Sequence, residues 1–177
     1  APPAAADSVY VSSTSGGNVG GVSFADEDIL KFDESTGAWS LYFDGSDLGV
    51  TQNLSAFDIL PDGSILMAFE RNQNTTAGAF TPWDVARFRP TSTGNNTAGG
   101  FEWYLKGSKV SLSTSGEKID AIELAPDGRL LISTLGAVTV PGNSGTSFKA
   151  NDEDLIAYTG TWGANPVGNW LLPFDGS

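Results

Sequence analysis

Acidic side chains at the start of one repeated strand are the residues in this sequence best placed to do chemistry. Two clusters are present: Asp26, Glu27 and Asp28, and then Asp152, Glu153 and Asp154. Neighbouring carboxylates repel one another unless something neutralises them. Calcium prefers ligands of this kind, carboxylate and loop carbonyl oxygens. The sequence therefore predicts Ca²⁺ as a cofactor, with these six residues as the metal ligands.

A second interpretation of the same acids is structural. Asp28, Asp84 and Asp154 occupy matching positions in three repeats, whereas the acids before Asp84 are replaced by Pro82 and Trp83. The spacing also lacks the alternating acids of a helix-loop-helix calcium loop. An acid shared by all three repeats favours a hydrogen bond to backbone N–H groups of a loop. Capping and calcium binding both stay open at this point.

Composition excludes several other kinds of chemistry. The 177 residues contain no His and no Cys, which removes thiol catalysis, disulfides and a Ser-His-Asp triad. The formal charge is −12, with 21 acidic and 9 scattered basic residues, so nucleic acid is not an expected partner. No apolar run approaches the roughly 20 residues of a membrane span. The Ala-Pro-Pro start is typical of a chain after signal-peptide removal, which predicts a secreted or cell-surface protein.

The elements that position these acids come from an internal repeat. Residues 61–63 (Pro-Asp-Gly) recur as residues 126–128, and each copy lies between two apolar runs. Proline presets φ, aspartate bonds the backbone and glycine accepts positive φ, so each copy predicts a hairpin turn.

Matching strands extend this hairpin into a unit of four, which we name a, b, c and d. The chain is expected to run b-c-d, then a-b-c-d twice, which makes 11 strands and almost no helix. The predicted fold is all-β, a β-propeller of about three four-stranded antiparallel blades, with the first blade lacking strand a. One domain, residues 1–177, would contain blades at residues 8–46, 53–108 and 118–177.

Large rings recur on strand d as Trp39, Phe101 and Trp170. Rings at matched positions are expected to be mostly buried between sheets, while a surface platform for carbohydrate is the alternative. Strand a carries Ser55 and Asp58 in one copy, and Asp120 and Glu123 in the other copy. If strand a is innermost, these side chains face a central channel, where they bind a cation or a sugar or are simply solvated.

The repeat resembles those of uncharacterised exported bacterial proteins with an acidic strand start, a Tyr-Phe-Asp-Gly-Ser turn and a Pro-Asp-Gly hairpin. Here these motifs are residues 26–29, 42–49 and 61–63. The Pro-Asp-Gly strand pair is also similar to blades of NHL-like and gluconolactonase-like β-propellers. The second blade departs from the pattern at residues 106–109 (Lys-Gly-Ser-Lys) and 82–84 (Pro-Trp-Asp).

Two functions compete. Near-identical blades favour a non-enzymatic extracellular or cell-surface module for recognition, adhesion or assembly. The alternative is a calcium-dependent propeller hydrolase of the lactonase or phytase kind. Three blades are too few to close a ring, so the expected partners are copies of the chain or further blades of a longer chain. A carbohydrate or protein ligand also stays open.

Overall fold

Three antiparallel sheets follow one another along the chain, and they share one strand order. The computed structural model describes residues 8–143 and 145–177. Sheet I contains, in order, β1 Ser8–Val11, β4 Ile29–Asp33 and β5 Ala38–Phe43. Sheet II contains, in order, β6 Leu54–Ile59, β7 Ile65–Phe69, β10 Val85–Ser92 and β11 Ala98–Leu105. Sheet III contains, in order, β12 Ile119–Leu124, β13 Leu130–Thr134, β16 Leu155–Gly160 and β17 Gly168–Phe174.

Helical structure in the described residues is limited to three short 3₁₀ turns, at Ser46–Leu48, Gly107–Lys109 and Ser115–Glu117. None of the described helices is long and apolar enough to cross a membrane. The all-β prediction is therefore confirmed, and all pairings inside the three sheets are antiparallel. The predicted lack of a strand in residues 1–7 lies outside the described residues.

The three sheets contain the 11 predicted strands in the predicted order, b-c-d and then a-b-c-d twice. The predicted total is nevertheless wrong, because each b–c connection forms a small hairpin of its own. These hairpins are β2 Gly17–Val19 with β3 Val22–Phe24, β8 Gln73–Thr75 with β9 Gly78–Phe80, and β14 Val138–Pro141 with β15 Ser147–Ala150. They bring the total in the described residues to 17 strands. Gly20 and Gly21 both have positive φ, which is the requirement of the two-residue hairpin turn between β2 and β3.

Both Pro-Asp-Gly turns join strands a and b as predicted. Gly63 and Gly128 have φ of 79° and 84°, which glycine adopts without steric cost. In the first turn, Asp62 Oδ1 accepts hydrogen bonds from the backbone N–H and the hydroxyl of Ser64, at 3.0 and 2.6 Å. The aspartate thus closes the turn, and Ile59 pairs directly with Ile65.

The core lies between successive sheets, and β7 contributes to two of its layers. Every residue of β7 is buried. Ile65, Met67 and Phe69 pack in the layer with sheet I, while Leu66 and Ala68 pack in the layer with sheet III. A strand covered on both faces reads as a continuous apolar run, which explains the unbroken Ile-Leu-Met-Ala-Phe segment.

Strand d of each sheet carries a β-bulge near its end. The bulge aims one backbone carbonyl at the next sheet, because the extra residue does not join the ladder. The Tyr42 carbonyl accepts the Gly94 N–H of sheet II at 2.8 Å, and the Tyr104 carbonyl accepts the Gly163 N–H of sheet III at 2.8 Å. The same hydrogen bond therefore links sheet I to II and sheet II to III.

The repeated rings pair within each sheet. Trp170 is fully buried beside Tyr158, with centroids 5.1 Å apart, and its indole N–H donates to the Val110 carbonyl at 2.9 Å. Trp39 and Phe101 are only half-buried. The prediction of mostly buried rings therefore holds in full for Trp170 alone.

Candidate functional site

The shared aspartate of strand c ties a loop to the turn that follows strand d. In sheet II, Asp84 Oδ2 accepts the Thr81 backbone N–H at 2.7 Å and the Thr81 hydroxyl at 2.6 Å. Its other oxygen, Oδ1, accepts the Gly107 N–H at 2.8 Å. Asp84 is only 2% exposed, so all three bonds form away from solvent.

The same arrangement recurs in sheets I and III. Asp28 accepts the backbone N–H groups of Ala25 and Gly45, at 2.8 and 2.9 Å. Asp154 accepts those of Asn151 and Gly176, at 2.7 and 2.9 Å. The capping interpretation of these aspartates therefore describes what the side chains do in all three sheets.

The glycine partner of each tie is required by close approach of two backbone segments. A Cβ on Gly107 would lie 1.9 Å from the Trp83 carbonyl oxygen. A Cβ on Gly45 would lie 2.8 Å from the Glu27 carbonyl oxygen. Because no side chain fits at these distances, the Gly of the Phe-Asp-Gly-Ser turn is part of the tie, and Gly107 keeps it although Lys106 replaces the turn acid.

The six residues predicted to bind calcium are placed in two separate loops. Burial is the main reason why the pKa of Glu27 and of Asp28 is raised above the ordinary value. Among the described residues, no group of three or more acidic side chains converges to hold a metal ion. Both oxygens of Asp28 and of Asp154 already accept backbone N–H groups. The donor set fits a capping role better than a calcium site, and calcium binding stays a prediction.

The acids and hydroxyl of strand a have separate environments. Asp58 Oδ2 accepts the Leu124 N–H of the next sheet at 2.8 Å, so Asp58 is a structural link. Asp120 accepts the hydroxyl of Ser133, on the neighbouring strand of its own sheet. Ser55 lines a cleft between sheets II and III and has a different role.

This cleft has a volume of about 260 Å³, and we call it the a-strand cleft. Its wall includes Asn53, Ser55, Glu70, Lys118, Asp120 and Leu135. A shallower depression of about 520 Å³ adjoins it, because the two share Glu70 and Lys118. Trp83 and Arg71 are among the residues that line that depression.

Two buried oxygen atoms at the wall of the a-strand cleft have no hydrogen-bond partner among residues 8–143 and 145–177. They are Asn53 Oδ1 and Ser55 Oγ. Asn53 is 9% exposed, and its Nδ2 donates to Glu70 Oε2 at 3.3 Å, which leaves the amide oxygen free. An unpaired buried polar atom costs about 1–3 kcal/mol. Such a cost is explained where a ligand supplies the missing partner.

Sequence reasoning did not single out Asn53, Glu70 or Lys118 as binding residues. They lie in three different loops or strand ends, and no motif joins them. The available signals were Ser55 and Asp120 on strand a, which were expected to face a channel and which line the cleft.

No family model matches the chain, and no curated protein matches it. A solved structure with a related arrangement is the PQQ-bound form of an aldose sugar dehydrogenase from Streptomyces coelicolor. The alignment has 14% identity and a TM-score of 0.45, and covers 99% of this chain. The chain spans 66% of that protein's length. A likeness at this score does not assign a function to this chain.

Proposed function

We propose that the three sheets are blades of a β-propeller and that the protein is a non-enzymatic recognition module. Its ligand binds in the a-strand cleft, and the ligand is a carbohydrate. The single observation that carries the proposal is the pair of unpartnered buried oxygens on Asn53 and Ser55. The module's place outside the cell stays a prediction.

The chemistry of the cleft favours a hydroxyl-rich ligand. A sugar hydroxyl both donates and accepts, so it can pair with the Glu70 carboxylate at the cleft wall. It can pair with the Asn53 oxygen and the Ser55 hydroxyl once a side-chain rotation turns these buried atoms toward the cleft. Lys118 adds three donors, and the described residues offer its ammonium group no ion pair. Trp83, in the adjoining depression, offers an aromatic face against which a sugar ring packs.

A binding role also agrees with the use of the repeated acids. In each of the three sheets, both oxygens of the aspartate shared by the repeats accept hydrogen bonds from backbone N–H groups. Those carboxylates are therefore employed in holding loops. A hydrolase of the lactonase or phytase kind would need acids free to bind a metal or to transfer protons.

The test is a panel of neutral and acidic saccharides, screened by thermal shift and then by titration calorimetry. The expected result is one saccharide class that raises the melting temperature of the wild-type protein. Ser55→Ala should weaken that binding at least tenfold while leaving unfolding stability unchanged or slightly higher, because it deletes an unpaired hydroxyl. Ser40→Ala, on strand d of sheet I and outside the lining of the cleft, is the control and should bind normally.

Two results would overturn the proposal. One is a panel in which no saccharide shifts the melting temperature at millimolar concentration. The other is binding that Ser55→Ala and Ser40→Ala weaken equally.

The calcium hypothesis has its own test. A metal held by Asp26, Glu27 and Asp28 binds only the folded state and must raise the melting temperature. Because both oxygens of Asp28 accept backbone N–H groups, we expect calcium to raise it no more than magnesium at equal ionic strength. A rise specific to calcium, and absent in Asp26→Asn, would restore the predicted site.

A further inference from the structure

The two ends of the sheet array expose residues that the repeated interface buries elsewhere. The clearest case is the pair of residues in which the first residue of strand c faces its partner near the end of strand d. Ile29 pairs with Phe43 in sheet I, and Val85 pairs with Leu105 in sheet II. All four side chains are 0% exposed, because the following sheet covers them.

The matching pair in sheet III is Leu155 with Phe174. These side chains are 36% and 54% exposed. Two apolar residues that are fully covered in both preceding sheets thus lie open on the last one. We call this pair the tail face.

Sheet I exposes a different pair of residues, the pair that in sheet II packs against the preceding sheet. In sheet II, Ile65 of strand b pairs with Phe88, and both are 0% exposed against sheet I. The equivalent Val9 of sheet I pairs with Phe32. Val9 is 44% exposed and Phe32 is half-buried. We call this pair the head face.

We propose that the tail face of one chain binds the head face of a second copy of the same chain. The occupant follows from continuity with the interface inside the molecule. Sheets I to II and sheets II to III already meet through the same apolar positions and through the same bulge hydrogen bond. A second copy presents the apolar positions of sheet I to sheet III in the way that sheet II presents its own to sheet I. The bulge hydrogen bond is not part of this contact, because the Gly37 N–H in the c–d turn of sheet I already donates to the Asp33 carbonyl.

Such a contact joins two different surfaces, so it is heterologous. A heterologous contact either closes a ring or continues as a filament. Two chains with two such contacts would bring six sheets together, which is within the range of closed propellers. This inference goes beyond the proposed function and does not depend on carbohydrate binding.

The experiment is sedimentation velocity on the 177-residue chain and on two variants. Val9→Asp disables the head face, and Phe174→Asp disables the tail face. Both positions are exposed, so the variants should fold, which tryptophan fluorescence and circular dichroism verify. Wild-type protein should sediment at twice 18.4 kDa or more. Each variant alone should be a monomer.

Mixing the variants gives the decisive result. Val9→Asp keeps a working tail and Phe174→Asp keeps a working head, so an equimolar mixture should form one heterodimer and nothing larger. Val167→Asp is the control, since Val167 is 75% exposed and lies beyond the opposite end of β17. It should assemble like the wild type.

Three outcomes would overturn the inference. Wild-type protein that stays monomeric up to about 100 μM lacks even micromolar association. Association that survives in both variants places the contact elsewhere. Loss of assembly in one variant alone, with no rescue on mixing, indicates a contact between like faces.

Discussion

Replacing Asp84 with asparagine should destabilise the protein more than the loss of one surface charge can explain. Asparagine has nearly the same shape, but it has one acceptor oxygen where aspartate has two. One of the two backbone N–H groups, from Thr81 or from Gly107, would then face the amide NH₂ and lose its partner. The side chain is 2% exposed, so water does not replace the missing bond.

The expected loss of stability follows from the hydrogen bonds at the two carboxylate oxygens. A hydrogen bond to a charged acceptor contributes about 1.5–3 kcal/mol, and an unpaired buried donor costs about 1–3 kcal/mol. Asparagine keeps, in weakened form, the bonding at one of the two oxygen positions and orphans the backbone donor at the other. The expected loss in free energy of unfolding is therefore about 2–4 kcal/mol.

The assay is urea unfolding followed by tryptophan fluorescence, with the midpoint and slope compared between variants. Asp44→Asn is the matched control. Asp44 Oδ1 accepts the Ser46 N–H and hydroxyl, and an asparagine oxygen accepts the same pair, so the loss there should stay below about 0.5 kcal/mol. Equal losses in the two variants, or a loss below 0.5 kcal/mol in Asp84→Asn, would refute the two-acceptor tie.

Three further predictions follow from other contacts. Gly107→Ala should lose about 3 kcal/mol, because its Cβ overlaps a carbonyl oxygen, whereas Gly100→Ala meets nothing within 4 Å and should change urea stability little. Trp170→Ala should lose about 3–5 kcal/mol in the same assay, since the ring is fully buried, and a loss near 1 kcal/mol would contradict the packing. Thermal unfolding across a pH series should show greatest stability at mildly acidic pH. Burial raises the pKa of Asp28 above the ordinary 3.8. The stabilisation that comes from this shift is fully present below pH 3.8 and is lost as the pH rises through the raised pKa. The hydrogen bond from the neighbouring serine hydroxyl is the largest cause that lowers the pKa of Asp62, so its contribution is lost as the pH falls below 3.8. A melting temperature that is flat through both regions would contradict this assignment.

The fold could be predicted where turn chemistry is local. Proline, aspartate and glycine in sequence determine the a–b hairpins, and the apolar runs beside them supply the strands. The b–c hairpins were not predicted because their strands are only 3 or 4 residues long, too short to show a clear alternation. Their pairing depends on turn glycines such as Gly20 and Gly21, which also occur in ordinary loops.

The a-strand cleft could not be predicted for a different reason. Asn53 is buried by the packing of sheet II against sheet III, and a sequence does not show which polar atoms that packing leaves unpaired. The exposure of Val9 and Phe174 is likewise a property of position in the array. Both residues occupy positions whose equivalents in neighbouring sheets are fully buried.

The three positions of the acidic motif at the start of strand c make different contacts in the structure. At the first position the backbone carbonyl makes the repeated contact: the Asp26 oxygen accepts the Leu54 N–H at 3.4 Å, and the Pro82 oxygen accepts the Ile119 N–H at 3.0 Å. At the second, the Trp83 carbonyl packs against Gly107, so the backbone again makes the contact. A proline or a tryptophan can therefore replace an acid at those positions without breaking the repeat. The third position uses its side chain to hold two backbone N–H groups, and it is the one that all three sheets keep as aspartate.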